Sequence, residues 1–321
     1  MITLEQIKAV MIGHAIGDAL GVPVEFCDRE ELIENPVIDM RGFGTYPVPA
    51  GSWSDDTSMS IAALDSLAKG TINLQEIMDN FVEWVEEGKY TPTGTSFDIG
   101  RTCLQAIRAY LISNNTSECG QVGEYSNGNG SIMRIHPFCL FAIAKGMTLG
   151  KSLDIVREGS VLTHAHPRSI YGCGIYSMVL WDILRGADKS QIPSAIENAA
   201  VLFDGIYPEE SDHYEWAFYK KLFTKTENEI SGSGYVVNTL EAALWCLLTT
   251  NSYKECVLKA VNLGEDTDTV AAIAGGLAGA LYGYDSIPQE WKDILIKRDY
   301  LESLCEKAYT EWTKGDNSLS H

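Results

Sequence analysis

Apolar residues recur at roughly every third or fourth position along most of the chain, which is the spacing of one face of an α-helix. Alternation with a period of two, typical of strands, is scarce. The pattern therefore predicts an all-α fold with about ten to twelve helices. The helical windows are 4–20, 57–68, 73–88, 98–112, 149–163, 168–186, 192–206, 215–223, 236–250, 252–264, 268–283 and 301–315.

Polar, glycine-rich segments separate several of these helices, at 41–52, 91–97, 126–131 and 231–235. Loops on a rigid helical scaffold are common places for functional residues. No low-complexity linker and no repeat of fixed period divides the chain. We therefore predict one compact multi-helix domain over residues 1–321.

Glycines are also frequent in the predicted helix over 268–283. Gly275, Gly276, Gly279 and Gly283 would let another helix pack very close to it. We take this to be a structural feature.

The charge balance limits the classes of partner. The chain has 24 Lys and Arg against 44 Asp and Glu, a net charge of −20. Such a surface repels nucleic-acid phosphates and anionic membranes, so a general nucleic-acid binder is excluded. A pocket for one small anionic ligand would have to supply its own local positive charge.

Sequence features also indicate the compartment. The N-terminus lacks the basic start and apolar core of a signal peptide, and the longest apolar and glycine run, 270–284, is shorter than the ~20 residues that span a bilayer. The eight cysteines form no CxxC pair and lie in apolar patterns, as free thiols do in a reducing compartment. We expect a cytoplasmic, monomeric protein without membrane contact.

Two like charges stand side by side in "WSDDTSM", where Asp55 and Asp56 follow Ser54 and precede an apolar helical run. One interpretation is a helix N-terminus, because Ser and Asp cap first turns and carboxylates favour the positive end of the helix dipole. The other interpretation is a set of cation ligands.

A second acidic cluster has the same build, since Asp266, Asp268 and Thr269 also precede a helix. If the two clusters met, with Glu25 nearby, their repulsion would be prohibitive without cations. Two divalent cations would relieve it, and all-oxygen ligands favour Mg²⁺ or Mn²⁺. The alternative is that both clusters are only helix caps.

The segment "NGNGSIMR" places Gly128, Asn129, Gly130 and Ser131 just before an apolar helical stretch. Consecutive amides there could form an anion-binding nest, although an ordinary turn is the more frequent explanation. Further on, His164 and His166 form an HxH that could bind zinc, but no further ligand stands at a recognised zinc spacing, so each is interpreted as a buried, hydrogen-bonded histidine. Tyr235 could pack in the core or stack on a nucleobase.

These motifs together resemble the ADP-ribosylglycohydrolase family, which includes the dinitrogenase reductase-activating glycohydrolases. They run in order from residue 13 to 283 as "GHAIGDALGVPVEF", "WSDDTSM", "SFDIG", "NGNGSIMR", "THAHP", "GSGYVVNTLEAALWC" and "GEDTDTVAAIAGGLAGALYG". The resemblance implies an all-α enzyme with a binuclear Mg or Mn centre in a cleft. It also implies cleavage of the bond that links ADP-ribose to a protein side chain or to a small conjugate.

The resemblance also assigns roles to individual residues. Ser54 stands where threonine is common in the family, and either hydroxyl can coordinate a cation. The positions that match metal ligands are Ser54, Asp55, Asp56, Asp266, Asp268 and Thr269. The positions that match substrate contacts are Gly128, Asn129, Gly130, Ser131, Met133, His164 and Tyr235, with Tyr235 towards the adenine. Glu25 matches a glutamate near the metals, and either Asp56 or Glu25 would serve as general base.

Asp98 in "SFDIG" resembles the arginine-specific members, because a carboxylate offers a bidentate acceptor to a guanidinium leaving group. The alternative for Asp98 is the N-cap of a helix that starts near residue 99. Serine-linked and other ADP-ribose conjugates remain open as substrates. So do a two-metal nucleotide phosphohydrolase and a non-catalytic relative, although all four metal aspartates are present.

Overall fold

The computed structural model describes residues 2–218 and 220–314 as an all-α protein. Within these residues there are fourteen α-helices and no extended strand, only two isolated bridges, Gln121 with His164 and Gly128 with Tyr235. The predicted fold class is therefore confirmed.

The α-helices are, in chain order, α1 Leu4–Gly21, α2 Arg29–Glu34, α3 Asp55–Leu67, α4 Leu74–Glu87, α5 Arg101–Ser113, α6 His136–Ala144, α7 Leu149–Val161, α8 Pro167–Leu184, α9 Ile192–Asp204, α10 Val236–Thr249, α11 Tyr253–Val261, α12 Thr267–Tyr282, α13 Gln289–Ile294 and α14 Arg298–Trp312. Short 3₁₀ turns lie between them at Val22–Val24, Glu124–Ser126, Ile132–Arg134, Pro208–Ala217, Lys221–Thr224, Glu227–Glu229 and Tyr284–Ser286.

Eleven of the predicted helices are present with ends within three residues of the prediction. The predicted helix over 215–223 is wrong, because this region forms two 3₁₀ turns separated by Lys220 in the left-handed region at φ +56°. The last predicted helix extended to residue 315, which lies outside the described residues.

Three observed helices had no periodic signal. α6 is buried along residues 136–143, so it has no polar face to reveal a helical period. α2 and α13 have only six residues each, too few for periodicity to be measured.

α1 and α12 pack backbone against backbone along a seam of glycines. A Cβ on Gly17 would lie 2.0 Å from the carbonyl oxygen of Ala271, and one on Gly275 would lie 2.3 Å from that of Gly13. The close packing predicted from Gly275 and Gly279 is therefore present. Gly283 takes no part in it, because it ends α12 at φ +86° and a Cβ there would meet nothing within 4 Å.

Replacing Gly17 by alanine is expected to lower the free energy of unfolding by about 1–3 kcal/mol, because the new methyl group must push two helix backbones apart. Denaturant unfolding measures this effect. Gly150→Ala in α7 is the matched control, since a Cβ there meets nothing within 4 Å. Equal changes in the free energy of unfolding of the two variants would contradict the close backbone packing of α1 against α12.

The seam also aligns the ends of these helices. A Cβ on Gly21 would lie 2.3 Å from the Cα of Asp268, and the Thr267 hydroxyl donates to the Gly21 carbonyl at 2.9 Å. The end of α1 is therefore fixed against the start of α12, where the second aspartate cluster lies.

One segment among the described residues, Leu4–Val24, is long and apolar enough to cross a membrane by length and composition alone. Inside the protein, 94% of its most apolar window is buried, and a core helix passes the same test. All eight cysteines are free thiols, and seven of them are buried.

Candidate active site

The two aspartate clusters meet at the first turns of α3 and α12. The Thr269 hydroxyl donates to Oδ2 of Asp56 at 3.1 Å, although the two residues are 213 positions apart. On the other side the Ser54 hydroxyl donates to the same oxygen at 3.2 Å. Asp56 and Asp268 are fully buried, while Asp266 is half-buried as the N-cap of α12. The two clusters therefore lie in contact, as the sequence analysis considered.

A carboxylate that sequence reasoning did not single out, Asp18 of α1, holds the start of α3. Its Oδ1 accepts the Ser54 amide at 2.8 Å, and its Oδ2 accepts the Thr57 amide at 3.0 Å and the Thr57 hydroxyl at 2.6 Å. Burial raises the pKa of Asp18 to about 7, against the hydrogen bonds that lower it. The only signal in the sequence was an acidic residue inside an otherwise apolar helix.

Asp98 belongs to the acidic cluster as well. Carboxylate oxygens of Glu25, Asp98 and Asp268 all lie within 4.8 Å of one another, a spacing that could hold a cation. Helix α5 begins at Arg101 with Gly100 as its N-cap, and Asp98 has φ +52°. The alternative interpretation of Asp98 as a helix cap is therefore wrong.

Burial and mutual repulsion disfavour ionisation of this cluster. Burial, then the charges of Asp98 and Asp266, raises the pKa of Glu25 to about 10. Burial is also the largest cause that raises the pKa of Asp55, Asp56 and Asp268 above the ordinary aspartate value. Opposite charge would remove this penalty.

The residues present fit divalent cations. Among the described residues, Oε2 of Glu25, Oδ1 of Asp56 and Oδ2 of Asp268 are buried without any hydrogen-bond partner. Buried carboxylate oxygens without partners are costly, and hard cations such as Mg²⁺ or Mn²⁺ take oxygen ligands of this kind. The cluster could therefore bind metal.

The loop 128–131 adjoins the second cluster. The Asn129 side-chain amide donates to Oδ2 of Asp266 at 2.7 Å and to the Thr239 hydroxyl at 3.0 Å. Gly130 has no room for a side chain, because a Cβ would lie 2.7 Å from Sγ of Cys103 and 2.8 Å from Cε1 of His164. The glycine therefore brings the backbone close to the imidazole.

The predicted substrate residues differ in whether their side chains lie at the cleft. The Ser131 side chain is buried and accepts a hydrogen bond from the Ser160 hydroxyl at 3.0 Å, so it points away from the cleft. Tyr235 is half-buried beside the cleft, with its hydroxyl 3.1 Å from Nδ1 of His213, and it bridges to Gly128 through the backbone.

A cavity of about 270 Å³ lies above the acidic cluster. Its walls include most of the predicted residues together with several that were not predicted. They are Glu25, Phe26, Asp55, Asp98, Gly100, Arg101, Thr102, Cys103, Tyr125, Gly128, Asn129, Gly130, Met133, His164, Gly234, Asp266 and Thr269.

Three aromatic residues around this cavity were missed by sequence reasoning. Tyr46 lies beside the carboxylates of Glu25 and Asp98, and its ring packs on Phe97 with centroids 4.9 Å apart. Phe26 and Tyr125 stand on the rim with 67% and 91% of their surface exposed. Phe26 and Tyr46 lie in loops and Tyr125 in a three-residue 3₁₀ turn, so no periodic pattern marked them.

Comparisons with known proteins agree with the fold. A model of the ADP-ribosylglycohydrolase family matches residues 1–317. The ADP-ribosylarginine hydrolase Tri1 of Serratia proteamaculans is 32% identical over 96% of this chain and 80% of its own length. The ADP-ribosyl-[dinitrogen reductase] glycohydrolase of Rhodospirillum rubrum is 33% identical over 90% of each chain.

A solved structure described as an ADP-ribosylglycohydrolase-related protein complex superposes with a TM-score of 0.78 at 27% identity, covering 96% of this chain and 98% of the other. The fold, the acidic cleft and these relatives define an enzyme that hydrolyses glycosidic bonds. The chain belongs to the ADP-ribosylglycohydrolase family. The family resemblance drawn from the sequence is thereby confirmed.

Proposed function

We propose that this enzyme releases ADP-ribose from arginine side chains by hydrolysing the N-glycosidic bond, with two divalent cations in its acidic cluster. The observation that carries the proposal is the convergence of both aspartate clusters with Glu25 and Asp98 on one cavity. Relatives at 32% and 33% identity bear names for ADP-ribosylarginine hydrolysis and for glycohydrolysis of ADP-ribosylated dinitrogen reductase. The substrate is an ADP-ribosylated protein or a small conjugate.

The cations would be held by the ends of α3 and α12. Bound there, Mg²⁺ or Mn²⁺ supplies Lewis acidity and neutralises carboxylate charge. The residues that would hold them are Ser54, Asp55, Asp56, Asp266, Asp268 and Thr269, and the position of Asp98 adds it to the candidates.

The nucleotide part would occupy the cavity between the loop 128–131 and the acidic cluster. The Asn129 amide already donates to the Gly234 carbonyl at 3.0 Å, so the backbone amides of Gly128, Gly130 and Ser131 would face the diphosphate, with Met133 and His164 on the wall. Tyr235, beside this loop, would face the adenine ring.

The reaction would replace the bond from the anomeric carbon to the guanidinium nitrogen with a bond to water oxygen. Asp56 or Glu25 would accept the proton of the attacking water, and the leaving nitrogen would take up a proton from the surrounding carboxyl groups. Asp98, with Tyr46 next to it, would orient the guanidinium before the bond breaks.

Serine-linked ADP-ribose is the second candidate substrate. Relatives from Danio rerio and Bos taurus, 26% and 24% identical, bear the name ADP-ribosylhydrolase ARH3, which does not specify arginine. The test is the release of ADP-ribose from matched arginine-linked and serine-linked peptides with Mg²⁺ or Mn²⁺. We expect faster release from the arginine-linked peptide, and the opposite order would overturn the arginine assignment.

Replacing Asp98 by alanine is expected to weaken hydrolysis of arginine-linked ADP-ribose more than binding of free ADP-ribose, by about tenfold to a hundredfold in the ratio. The reason is that a hydrogen bond to a charged group contributes roughly 1.5–3 kcal/mol. Kinetics and calorimetric titration give the two quantities. Because Asp98 adjoins Glu25 and Asp268, Mn²⁺ affinity is measured as well. Equal losses in both quantities, with weaker Mn²⁺ binding, would make Asp98 a metal ligand instead.

A further inference from the structure

Arg134 is a fully buried guanidinium, with 0% of its surface exposed. Its Nη1 donates to the carbonyl oxygen of Gly159 at 3.0 Å, and its Nη2 donates to the Thr163 hydroxyl at 2.7 Å. The group also lies over the ring of Phe81, 4.9 Å from the centroid. Within residues 2–218 and 220–314, no carboxylate forms an ion pair with it, and the ionisable side chains that act on it are cysteine thiols.

A buried charge without a counter-charge is costly, so its position calls for a physical reason. Arg134 ends the 3₁₀ turn Ile132–Arg134 that directly follows the loop 128–131. The protein as a whole carries a net charge of −20. The guanidinium therefore supplies positive potential behind a loop that faces the cavity, which is what an anionic ligand requires in so acidic a protein.

The Thr163 hydroxyl connects this charge to His164. Its oxygen lies 2.8 Å from Nδ1 of His164 and accepts from Arg134. The hydroxyl proton is therefore available for donation to Nδ1, and the positive charge of Arg134 polarises the hydroxyl towards donating. If Nδ1 carried the proton instead, the hydroxyl would have to turn to a weaker acceptor such as the Cys103 thiol.

An imidazole that accepts at Nδ1 carries its proton at Nε2. In His164 this nitrogen has no hydrogen-bond partner among the described residues, and it lies near the cavity wall, 3.9 Å from where a Cβ on Gly128 would stand. Burial, and then the charge of Arg134, lowers the pKa of His164 to about 3, so the ring stays neutral.

We propose that Arg134 and Thr163 are positioning residues that fix His164 as an Nε2–H donor directed at the diphosphate of ADP-ribose. The ligand in this inference rests on the proposed function, but the tautomer of His164 does not. The buried charge contributes attraction for the anion, and the hydroxyl sets which imidazole nitrogen donates.

The first test is the tautomer of His164 in the free protein. Nitrogen-15 chemical shifts of the histidine rings distinguish Nε2–H from Nδ1–H, and a His164→Gln variant assigns the signals. We expect Nε2–H in the wild type and in Thr163→Ser, which keeps the hydroxyl. Thr163→Val is expected to populate both tautomers. An Nδ1–H ring in the wild type would overturn the proposal without any variant.

The second test compares ADP with adenosine as probes in calorimetric or competition titrations. Thr163→Val is expected to weaken ADP binding by about tenfold and to leave adenosine binding unchanged, since adenosine has no phosphate. Thr163→Ser is expected to restore the affinity for ADP. Equal weakening of both probes would show a merely structural role.

A matched control removes a different buried hydroxyl. Thr250→Val at the far end of α10 loses the hydrogen bond to the Cys246 carbonyl. It is expected to change neither the affinity for ADP or adenosine nor the nitrogen-15 signals of His164. Arg134→Gln keeps an amide donor but removes the charge. It is expected to weaken ADP binding and to leave adenosine binding unchanged. If the wild type bound neither ADP nor ADP-ribose, the proposed function would fall while the ring-nitrogen shifts still decided the tautomer.

Discussion

Replacing Asp56 by asparagine is expected to lower the rate of ADP-ribose release by about 10²–10⁴-fold, the range that loss of a general base or its equivalent produces. The substitution is nearly isosteric, so the first turn of α3 should survive. It removes the charge of the most central carboxylate, whose Oδ2 accepts from Ser54 and Thr269 and whose Oδ1 is buried without a partner.

Steady-state kinetics with an arginine-linked substrate measures this loss, and circular dichroism checks the fold. Asp154→Asn is the control, because this aspartate is exposed on α7 and lies outside the cavity lining. A rate close to that of the wild type in Asp56→Asn would remove Asp56 from both the metal set and the list of candidate bases.

Exhaustive chelation is expected to abolish turnover, and added Mg²⁺ or Mn²⁺ to restore it. The reason is the cluster of carboxylates whose pKa values are raised by burial and by one another. Metal binding to the folded state should also stabilise it, by about 2.7 kcal/mol at a free metal concentration of 100 times Kd. Melting curves with and without metal measure this shift.

Asp268→Asn serves as the matched variant for the metal test, since it removes one charge from the same cluster. Its melting temperature should rise less with Mn²⁺ than that of the wild type. Full turnover after chelation, or a melting curve that saturating metal leaves unchanged, would contradict a binuclear centre.

The sequence predicted most of the fold because most helices have one buried and one exposed face. α4 shows this clearly, with Ile77, Phe81 and Trp84 buried on one side. The same reasoning could not find α6, which is apolar on every side, or the break near Lys220, where backbone conformation overrides the apolar pattern of 215–223.

The candidate site was predicted as a set of residues, but its geometry was not. Local spacing could suggest that Asp55, Asp56, Asp266 and Asp268 were ligands, yet only tertiary packing shows that Asp98 lies within 4.8 Å of Glu25 and Asp268. Spacing also could not show that the side chain of Ser131 points into the protein.

Asp18 escaped prediction for a different reason. A single carboxylate in an apolar helix has no local signature, and its role depends on amide groups 36 and 39 positions away. Interactions between distant positions of this kind are invisible to any pattern within one window of the sequence.

The contact between α1 and α12 is made by main-chain atoms, so it tolerates almost no adjustment. Sliding one helix along the other would have to carry Gly13, Gly17 and Gly21 past carbonyl and Cα atoms that they already touch. Because Asp18 of α1 holds the start of α3, this rigid contact also fixes the spacing between the aspartate cluster on α3 and the one on α12. Changes of substrate in such a protein would have to come from residues outside this contact, such as Asp98 and Gly100 in the cavity wall and Tyr46 beside Asp98, which can vary without moving that spacing.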